Sequence, residues 1–166
     1  LTKDYNASWT DVTVSGGQSL LVEELTATHC VSCTDIDPYL HQVADSHGSR
    51  ISIVSYHPTD DVDAFQPEAS KLRIERLELK HPEIRQTPSF VVESSALRVG
   101  PDSWPDVQKD ILREETSRQS YSKLNYTISK QNQTYTAKIT SSELLETDQK
   151  TELSFLLLEH KKEVPE

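Results

Sequence analysis

Cys30 and Cys33 are the residues whose type and spacing are best suited to chemistry. Two thiols separated by two residues can cycle between a dithiol and a disulfide. An apolar run at 19–25 precedes the pair, and a helical pattern at 33–47 follows it. This order predicts a strand that leads into the pair and a helix that leads out of it. Cys30 would then lie at the N-terminus of that helix.

A position at the start of a helix favours a reactive thiolate. Unpaired backbone N–H groups and the helix dipole stabilise negative charge there, so the Cys30 thiolate would be stabilised. Cys33 would lie one turn further along, on nearly the same face and less exposed. From there it could attack a mixed disulfide formed at Cys30. The pair therefore predicts thiol–disulfide exchange.

Two cysteines at this spacing can also have other roles. A structural zinc site needs four ligands, and two cysteines with His29 and His41 make a poor set. A haem site is excluded because no His follows Cys33 directly. Two alternatives stay open. One is a non-catalytic binding module in which the disulfide is structural, although so small a loop would stabilise little. The other is copper or zinc handling through Cys30, Cys33 and His29.

The hydrophobic pattern predicts alternating strands and helices over residues 1–118. The strands are expected at 9–14, 19–25, 50–56, 87–93 and 96–99, and the helices at 33–47, 67–79 and 104–117. The strand at 19–25, the helix after it and the strand at 50–56 make a βαβ unit. Such a unit implies parallel pairing with a right-handed crossover. The strands at 87–93 and 96–99 are expected to form a hairpin.

The character of the chain changes after residue 118. Segments 121–129, 133–140 and 151–159 alternate with period two and predict three antiparallel strands. Three strands are too few for a self-contained sandwich. We therefore expect a domain at 1–118 and a β-strand segment at 119–166, which could be the front of a truncated β-sandwich module.

Two segments resemble the signatures of the thioredoxin family. His29-Cys30-Val31-Ser32-Cys33, followed after four residues by Pro38, is similar to the active-site helix of that family. Residues 84–92 resemble its second signature, in which a cis-proline opens a strand beside the reactive cysteines, and Gly100 also matches in position. The resemblance covers 9–117. It implies an α/β, thioredoxin-like fold: a central mixed β-sheet flanked by helices, here with a short C-terminal antiparallel β segment.

The resemblance also implies catalytic roles. Cys30 would be the nucleophile and Cys33 the resolving thiol. Glu24, six residues before Cys30, occupies the place of the buried acid that takes the proton from the resolving cysteine. Period-two alternation would let only one of Glu23 and Glu24 face inward. The function implied is a thiol–disulfide oxidoreductase acting on protein substrates.

Residues around the cysteines are implied to bind substrate. Thr87 would offer backbone hydrogen bonds to a peptide, in the manner of an added strand, and Pro88 would be cis. His29 stands where the family has Trp, and Val31-Ser32 replaces Gly-Pro. A protonated His29 would favour the neighbouring thiolate, while the alternative is an ordinary exposed loop histidine.

An insertion at about 59–79 precedes the cis-proline signature. The segment 57–63, which opens it, contains one histidine and three aspartates. Their spacing matches no calcium-binding loop, so we expect a solvated acidic loop and no metal site there. No cofactor is expected beyond the Cys30–Cys33 disulfide itself.

Charge and sequence motifs bear on partners and location. A formal net charge of −10, without a basic cluster, disfavours nucleic acid. No apolar run is long enough to predict a transmembrane segment. The chain begins at Leu1 and contains no Met, so any signal peptide or anchor would lie outside it. The expected partners are protein or peptide thiols and disulfides and a redox partner protein.

The expected location is extracytoplasmic: periplasmic, envelope-associated or secreted. Residues 23–30 resemble the corresponding stretch of secreted or envelope thioredoxin-like proteins with a C-terminal β module. Three glycosylation sequons, at Asn6, Asn125 and Asn132, fit this location, but a motif this short also arises by chance and is an acceptor only in a cell with the glycosylation machinery.

Overall fold

A computed structural model describes residues 12–15, 19–58, 62–65, 67–93, 95–117, 122–132, 134–144 and 158. In chain order the elements are β1 (Val12–Ser15), β2 (Leu20–Leu25), α1 (Val31–His47), β3 (Ile51–Tyr56), α2 (Glu68–Glu78), β4 (Ser89–Val92), β5 (Arg98–Val99), α3 (Trp104–Ser117), β6 (Ser122–Gln131) and β7 (Thr134–Leu144). They belong to two units, one with a four-stranded sheet and one with a three-stranded sheet. Within the described ranges, no helix combines the length and apolar character needed to cross a membrane.

The four-stranded sheet has the order β3-β2-β4-β5. β2 is parallel to β3 and antiparallel to β4, and β5 is antiparallel to β4. The predicted βαβ unit and the hairpin after it are both present. The predicted fold class, a mixed sheet flanked by helices with antiparallel strands after it, is confirmed.

Helices cover both faces of this sheet. On one face the buried apolar residues come from the strands, α1 and α3: Leu20, Val22, Ile51, Phe90, Val92, Ile36, Leu40, Val43, Trp104, Val107 and Ile111. On the other face they come from the strands, α2 and the segment after it: Leu25, Val54, Tyr56, Val91, Ile74, Leu77 and Ile84. A strand buried on both faces carries apolar residues continuously, which explains the uninterrupted run that begins β2.

The three-stranded sheet corrects one expectation. β1 pairs antiparallel with β6, and β6 pairs antiparallel with β7. The strand predicted at 9–14, which the sequence placed in the 1–118 domain, therefore joins the C-terminal strands instead. Its local pattern specifies a strand but not a partner, because β pairing is decided by tertiary contacts. The third predicted strand, 151–159, lies outside the described residues apart from Leu158.

Asn132 occupies the tight turn between β6 and β7. Gln131 faces Thr134 across the ladder, and Asn132 has φ of 54°. Asparagine tolerates this left-handed conformation better than most residues. Its side chain, which would be the acceptor of this sequon, is exposed.

Candidate functional site

Three segments of the chain converge on one edge of the four-stranded sheet. The parallel strands β2 and β3 end there at Leu25 and Tyr56, and the Thr26 N–H donates a hydrogen bond to the Tyr56 carbonyl at 3.1 Å. β4 runs the other way and begins at this edge, with Ser89 opposite Leu25. The cysteine segment after β2, the loop after β3 and Thr87-Pro88 before β4 therefore lie at the same edge.

Cys30 and Cys33 differ in accessibility. Cys30 is the N-cap residue of α1 and is partly exposed, whereas Cys33 lies one turn inside the helix and is 2% exposed. A disulfide joins them, with 5.4 Å between their Cα atoms. Cys30 thus offers exposed surface beside the bond, while Cys33 is enclosed.

Cys30 lies at the start of α1, where two backbone hydrogen bonds fix its peptide groups. The Cys30 N–H donates to the Ala27 carbonyl at 3.0 Å, and the Cys33 N–H donates to the Cys30 carbonyl at 3.2 Å. The helix begins at Val31, earlier than the apolar pattern at 33–47 indicates, because Val31 is 82% exposed and contributes nothing to that pattern. The first N–H groups of a helix have no partners within it, so they can stabilise negative charge beside them.

The residues next to the cysteines form the rim of the site. His29 and Val31 are exposed, and Ser32 is half-buried. The Ser32 hydroxyl lies 3.6 Å from the Cys30 sulfur. A disulfide sulfur carries no proton, so Ser32 must be the donor in this contact.

Glu24 is buried on the side of the sheet that α1 covers, at 2% exposure. One carboxylate oxygen accepts a hydrogen bond from the Ser55 hydroxyl at 2.6 Å, and the other finds no partner among the described residues. Burial raises the pKa of Glu24 to about 7; the Ser55 bond opposes this rise, and the charge of Asp37 adds to it. Asp37 is one turn beyond Cys33 on α1, so the Glu24 carboxyl lies within electrostatic range of that part of the helix.

Glu23 is also buried, at 3% exposure, which makes the expectation that only one of this pair faces inward wrong. Arg73 of α2 donates two hydrogen bonds to its two oxygens at 2.7 Å each, and the Tyr56 hydroxyl donates a third at 3.0 Å. Alternation along β2 does hold, but helices cover both faces. Each glutamate therefore points into a buried layer between the sheet and a helix, and Arg73 neutralises Glu23.

Thr87 and Pro88 are joined by a cis peptide bond. Pro88 is buried and Thr87 is half-buried. The Pro88 carbonyl accepts the Gly100 N–H at 2.8 Å, and Gly100 has φ of 81°. Gly100 thus holds the end of β5 against the proline in a conformation that favours glycine.

This unit combines the β3-β2-β4-β5 sheet, a disulfide at the start of α1 and a cis-proline just before β4. Its described residues, from 19 to 117, form a thioredoxin-like fold. Pro38 lies inside α1 of this thioredoxin-like unit, as the resemblance implied.

No family model matches this chain, and no curated protein matches it. Among solved structures, the germline-specific thioredoxin Deadhead from Drosophila melanogaster shares 18% identity over 57% of this chain and 80% of its own, with a TM-score of 0.39. A thioredoxin from Malassezia sympodialis shares 21% over 60% of this chain and 78% of its own, with a TM-score of 0.39. Protein AGR_C_4864 from Agrobacterium tumefaciens shares 15% over 68% of this chain and 57% of its own, with a TM-score of 0.48.

Asp63 is a buried residue of the thioredoxin-like unit that the sequence analysis missed. Its side chain is 0% exposed and contacts Thr28, His57 and Phe65, so the expectation of a solvated acidic loop is wrong at this position. One signal was available, because an Asp often bonds the backbone N–H two residues on, which here belongs to Phe65. Asp60 and Asp61 lie outside the described residues. In the part of the chain that the structure describes, no three metal-binding side chains cluster.

Proposed function

We propose that this chain is a thiol–disulfide oxidoreductase that exchanges disulfides with protein substrates through Cys30 and Cys33. The observation that carries the proposal is the unequal exposure of the two bonded cysteines at the start of α1. An accessible sulfur beside helix N–H groups suits a nucleophile and leaving group, and an enclosed sulfur one turn away suits a resolving thiol. The disulfide itself would be the redox centre, without a further cofactor.

The exchange takes two substitutions at sulfur. In the reducing direction the Cys30 thiolate attacks a substrate disulfide, that bond breaks, and one substrate sulfur leaves as a thiolate. The Cys33 thiolate then attacks the Cys30 sulfur of the mixed disulfide and the second substrate sulfur leaves. Two electrons pass to the substrate, and the protons lost by the two cysteines end on its two thiols. The reverse sequence transfers the disulfide to a substrate dithiol.

Glu24 would be the base that takes the proton from Cys33. A general base works best when its pKa is near the operating pH, and burial raises the pKa of Glu24 to about 7. The carboxylate oxygen that has no hydrogen-bond partner among the described residues can accept the proton. Ser55 holds the other oxygen and so fixes the orientation of the group.

The substrate would bind across the edge where the three segments converge. Thr87 would pair with an extended peptide through its backbone, and the peptide's sulfur would then approach Cys30. His29, Val31 and Ser32 would contact the residues beside that sulfur. Such a mode accepts many sequences, which fits protein or peptide substrates and a separate redox partner protein.

We also propose an extracytoplasmic location, since disulfides persist outside the reducing cytosol. The exposed sequon at Asn132 supports it. Cell fractionation with thiol trapping tests this proposal. Recovery of the protein in the cytosol with both cysteines reduced would contradict it.

The reduction potential of the Cys30–Cys33 pair is the first measurement. The protein is equilibrated in a glutathione series, and the thiol state is followed by alkylation and mass. A value of about −120 mV would identify an oxidant that donates disulfides, and one of about −270 mV a reductant. A value below about −300 mV would identify a structural bridge and overturn the proposal.

Trapping of the mixed disulfide separates the two cysteines. The variant Cys33→Ser keeps the nucleophile and should accumulate a covalent adduct with a peptide disulfide. The matched control Cys30→Ser keeps only the enclosed thiol and should form little adduct. Equal trapping by both variants would contradict the assigned roles.

A further inference from the structure

The Asp63 carboxylate connects the loop after β3 to the segment that carries Cys30. Its Oδ2 atom accepts the backbone N–H of Thr28 at 2.6 Å, two residues before Cys30. In return, the Thr28 hydroxyl oxygen accepts the backbone N–H of Ala64 at 3.1 Å. The two bonds are reciprocal and join segments 35 residues apart in sequence.

The carboxylate is itself held in place from within its own loop. Its Oδ1 atom accepts the Phe65 N–H at 2.8 Å, and Nδ1 of His57 lies 3.1 and 3.0 Å from its two oxygens. The rings of His57 and Phe65 meet edge to face, with centroids 4.8 Å apart. Burial would raise the pKa of Asp63, but the bonds from His57, Phe65 and Thr28 lower it below its ordinary value. The group is therefore a fixed anion.

One peptide unit carries the effect of Asp63 to Cys30. The Thr28 N–H that bonds Asp63 and the Ala27 carbonyl belong to the same planar peptide group. That carbonyl accepts the Cys30 N–H at 3.0 Å. Since the group is rigid, fixing its N–H end also fixes the direction of its carbonyl end, and with it the backbone of the helix N-cap.

We propose that Asp63 is a positioning residue for Cys30, acting through the peptide between Ala27 and Thr28. It holds the nucleophile at the point where the first N–H groups of α1 stabilise a thiolate. Without the carboxylate, that peptide can rotate and Cys30 is no longer held at the helix start. This inference rests on the proposed function, because it assigns Asp63 to the reactivity of the same thiol.

The experiment measures how the alkylation rate of Cys30 depends on pH, in the full chain carrying Cys33→Ser so that one thiol reacts. Asp63→Asn should shift the midpoint of the profile to higher pH and lower the rate below the midpoint by about three- to tenfold. The rate at the high-pH plateau should not fall. A general loss of structure would not give this pattern.

A matched control and a milder variant complete the test. Asp110→Asn removes the charge of another buried aspartate, 1% exposed, whose partners are Arg98 and Arg113, and should leave the midpoint in place. Thr28→Val removes only the acceptor for Ala64 and should shift the midpoint in the same direction by less. If circular dichroism shows that Asp63→Asn does not fold, the midpoint of the pH profile in Thr28→Val decides whether the proposal holds.

The outcomes separate this inference from the proposed function. A parent midpoint at the ordinary thiol value of about 8.5 overturns the proposed function, and this inference with it. A lowered parent midpoint that neither Asp63→Asn nor Thr28→Val moves overturns this inference alone. An equal shift in Asp110→Asn also overturns it, because the effect would then come from lost stability.

Discussion

Glu23 and Glu24 are neighbours in β2, and their carboxyl groups are buried on opposite faces of the sheet. Glu23 meets Arg73 and Tyr56, which satisfy it as an anion. Glu24 meets one hydroxyl and no cation among its described partners, and its pKa rises to about 7. The two adjacent glutamates thus differ in their chemistry. Glu23 is a buried charge paired with Arg73, whereas Glu24 has a pKa near neutrality.

Replacing Glu24 by Gln should increase stability at high pH. The folded pKa of about 7 lies above the unfolded value of 4.5, so native Glu24 favours the protonated form. The contribution of Glu24 to the free energy of unfolding is most favourable below pH 4.5 and falls as pH rises. Above pH 7 the buried charged group destabilises the fold by its full penalty. Glu24→Gln avoids that penalty, which is at most about 3 kcal/mol. Urea unfolding of the oxidised protein from pH 4 to 8 measures the difference, which should grow with pH. A constant difference would contradict the raised pKa.

Removing Arg73 should destabilise the fold strongly. Arg73→Ala leaves the Glu23 carboxylate buried without its cation, a change that costs about 3 kcal/mol. Chemical denaturation at pH 7 measures it, and Glu23→Gln added to Arg73→Ala should recover part of the loss. The control is Arg85→Ala, which breaks an ion pair of the same 2.7 Å length to Glu78 on the exposed surface. It should leave the unfolding free energy near its wild-type value, because solvent screens such pairs.

Ser32→Ala should reduce the reactivity of Cys30. After reduction, the Ser32 hydroxyl can donate to the Cys30 thiolate, and a hydrogen bond to a charged acceptor is stronger than one to a neutral sulfur. We expect the alkylation rate at pH 6 to fall about threefold. Thr34→Ala is the control, because that hydroxyl donates to the Val31 carbonyl instead. Equal effects of the two changes would show that Ser32 has no specific role.

Gly100→Ala should lower stability through the backbone alone. Gly100 has φ of 81° and ψ of 162°, a region that residues with a Cβ adopt at a cost of about 1–3 kcal/mol. Among the described residues other than its two chain neighbours, no atom lies within 4 Å of the position a Cβ would take, so a clash is not the reason. Thermal unfolding of the variant measures the loss. An unchanged midpoint would contradict the backbone conformation at this position.

The elements of residues 19–117 could be predicted from the sequence because each has its own local pattern. The helix predicted at 67–79 is Glu68–Glu78, and the strand predicted at 50–56 is Ile51–Tyr56. The order of these elements predicted the parallel β2–β3 pair and the β4–β5 hairpin, and the resemblance to the thioredoxin family implied the mixed sheet that joins them. Roles of individual residues at the site remain predictions that the experiments above address.

Contacts between distant segments could not be predicted in this way. The partner of β1 lies more than 100 residues away, at β6. Glu23 was expected to be exposed if Glu24 faced inward, because no local signal shows that Arg73 of α2 reaches it. Asp63 was grouped with a polar loop, since its bond to Thr28 depends on how β2 and β3 end at the same edge.

β2 lies inside the four-stranded sheet, and both strands that flank it come later in the chain. During synthesis β2 therefore leaves the ribosome before either partner exists, and its second partner is complete only once Val92 has emerged. Throughout that interval the nascent chain displays an apolar strand with two open edges and, just after it, two unpaired thiols. Both can join the wrong chain, one by β pairing and the other by oxidation. Factors that shield nascent chains would matter most over this stretch.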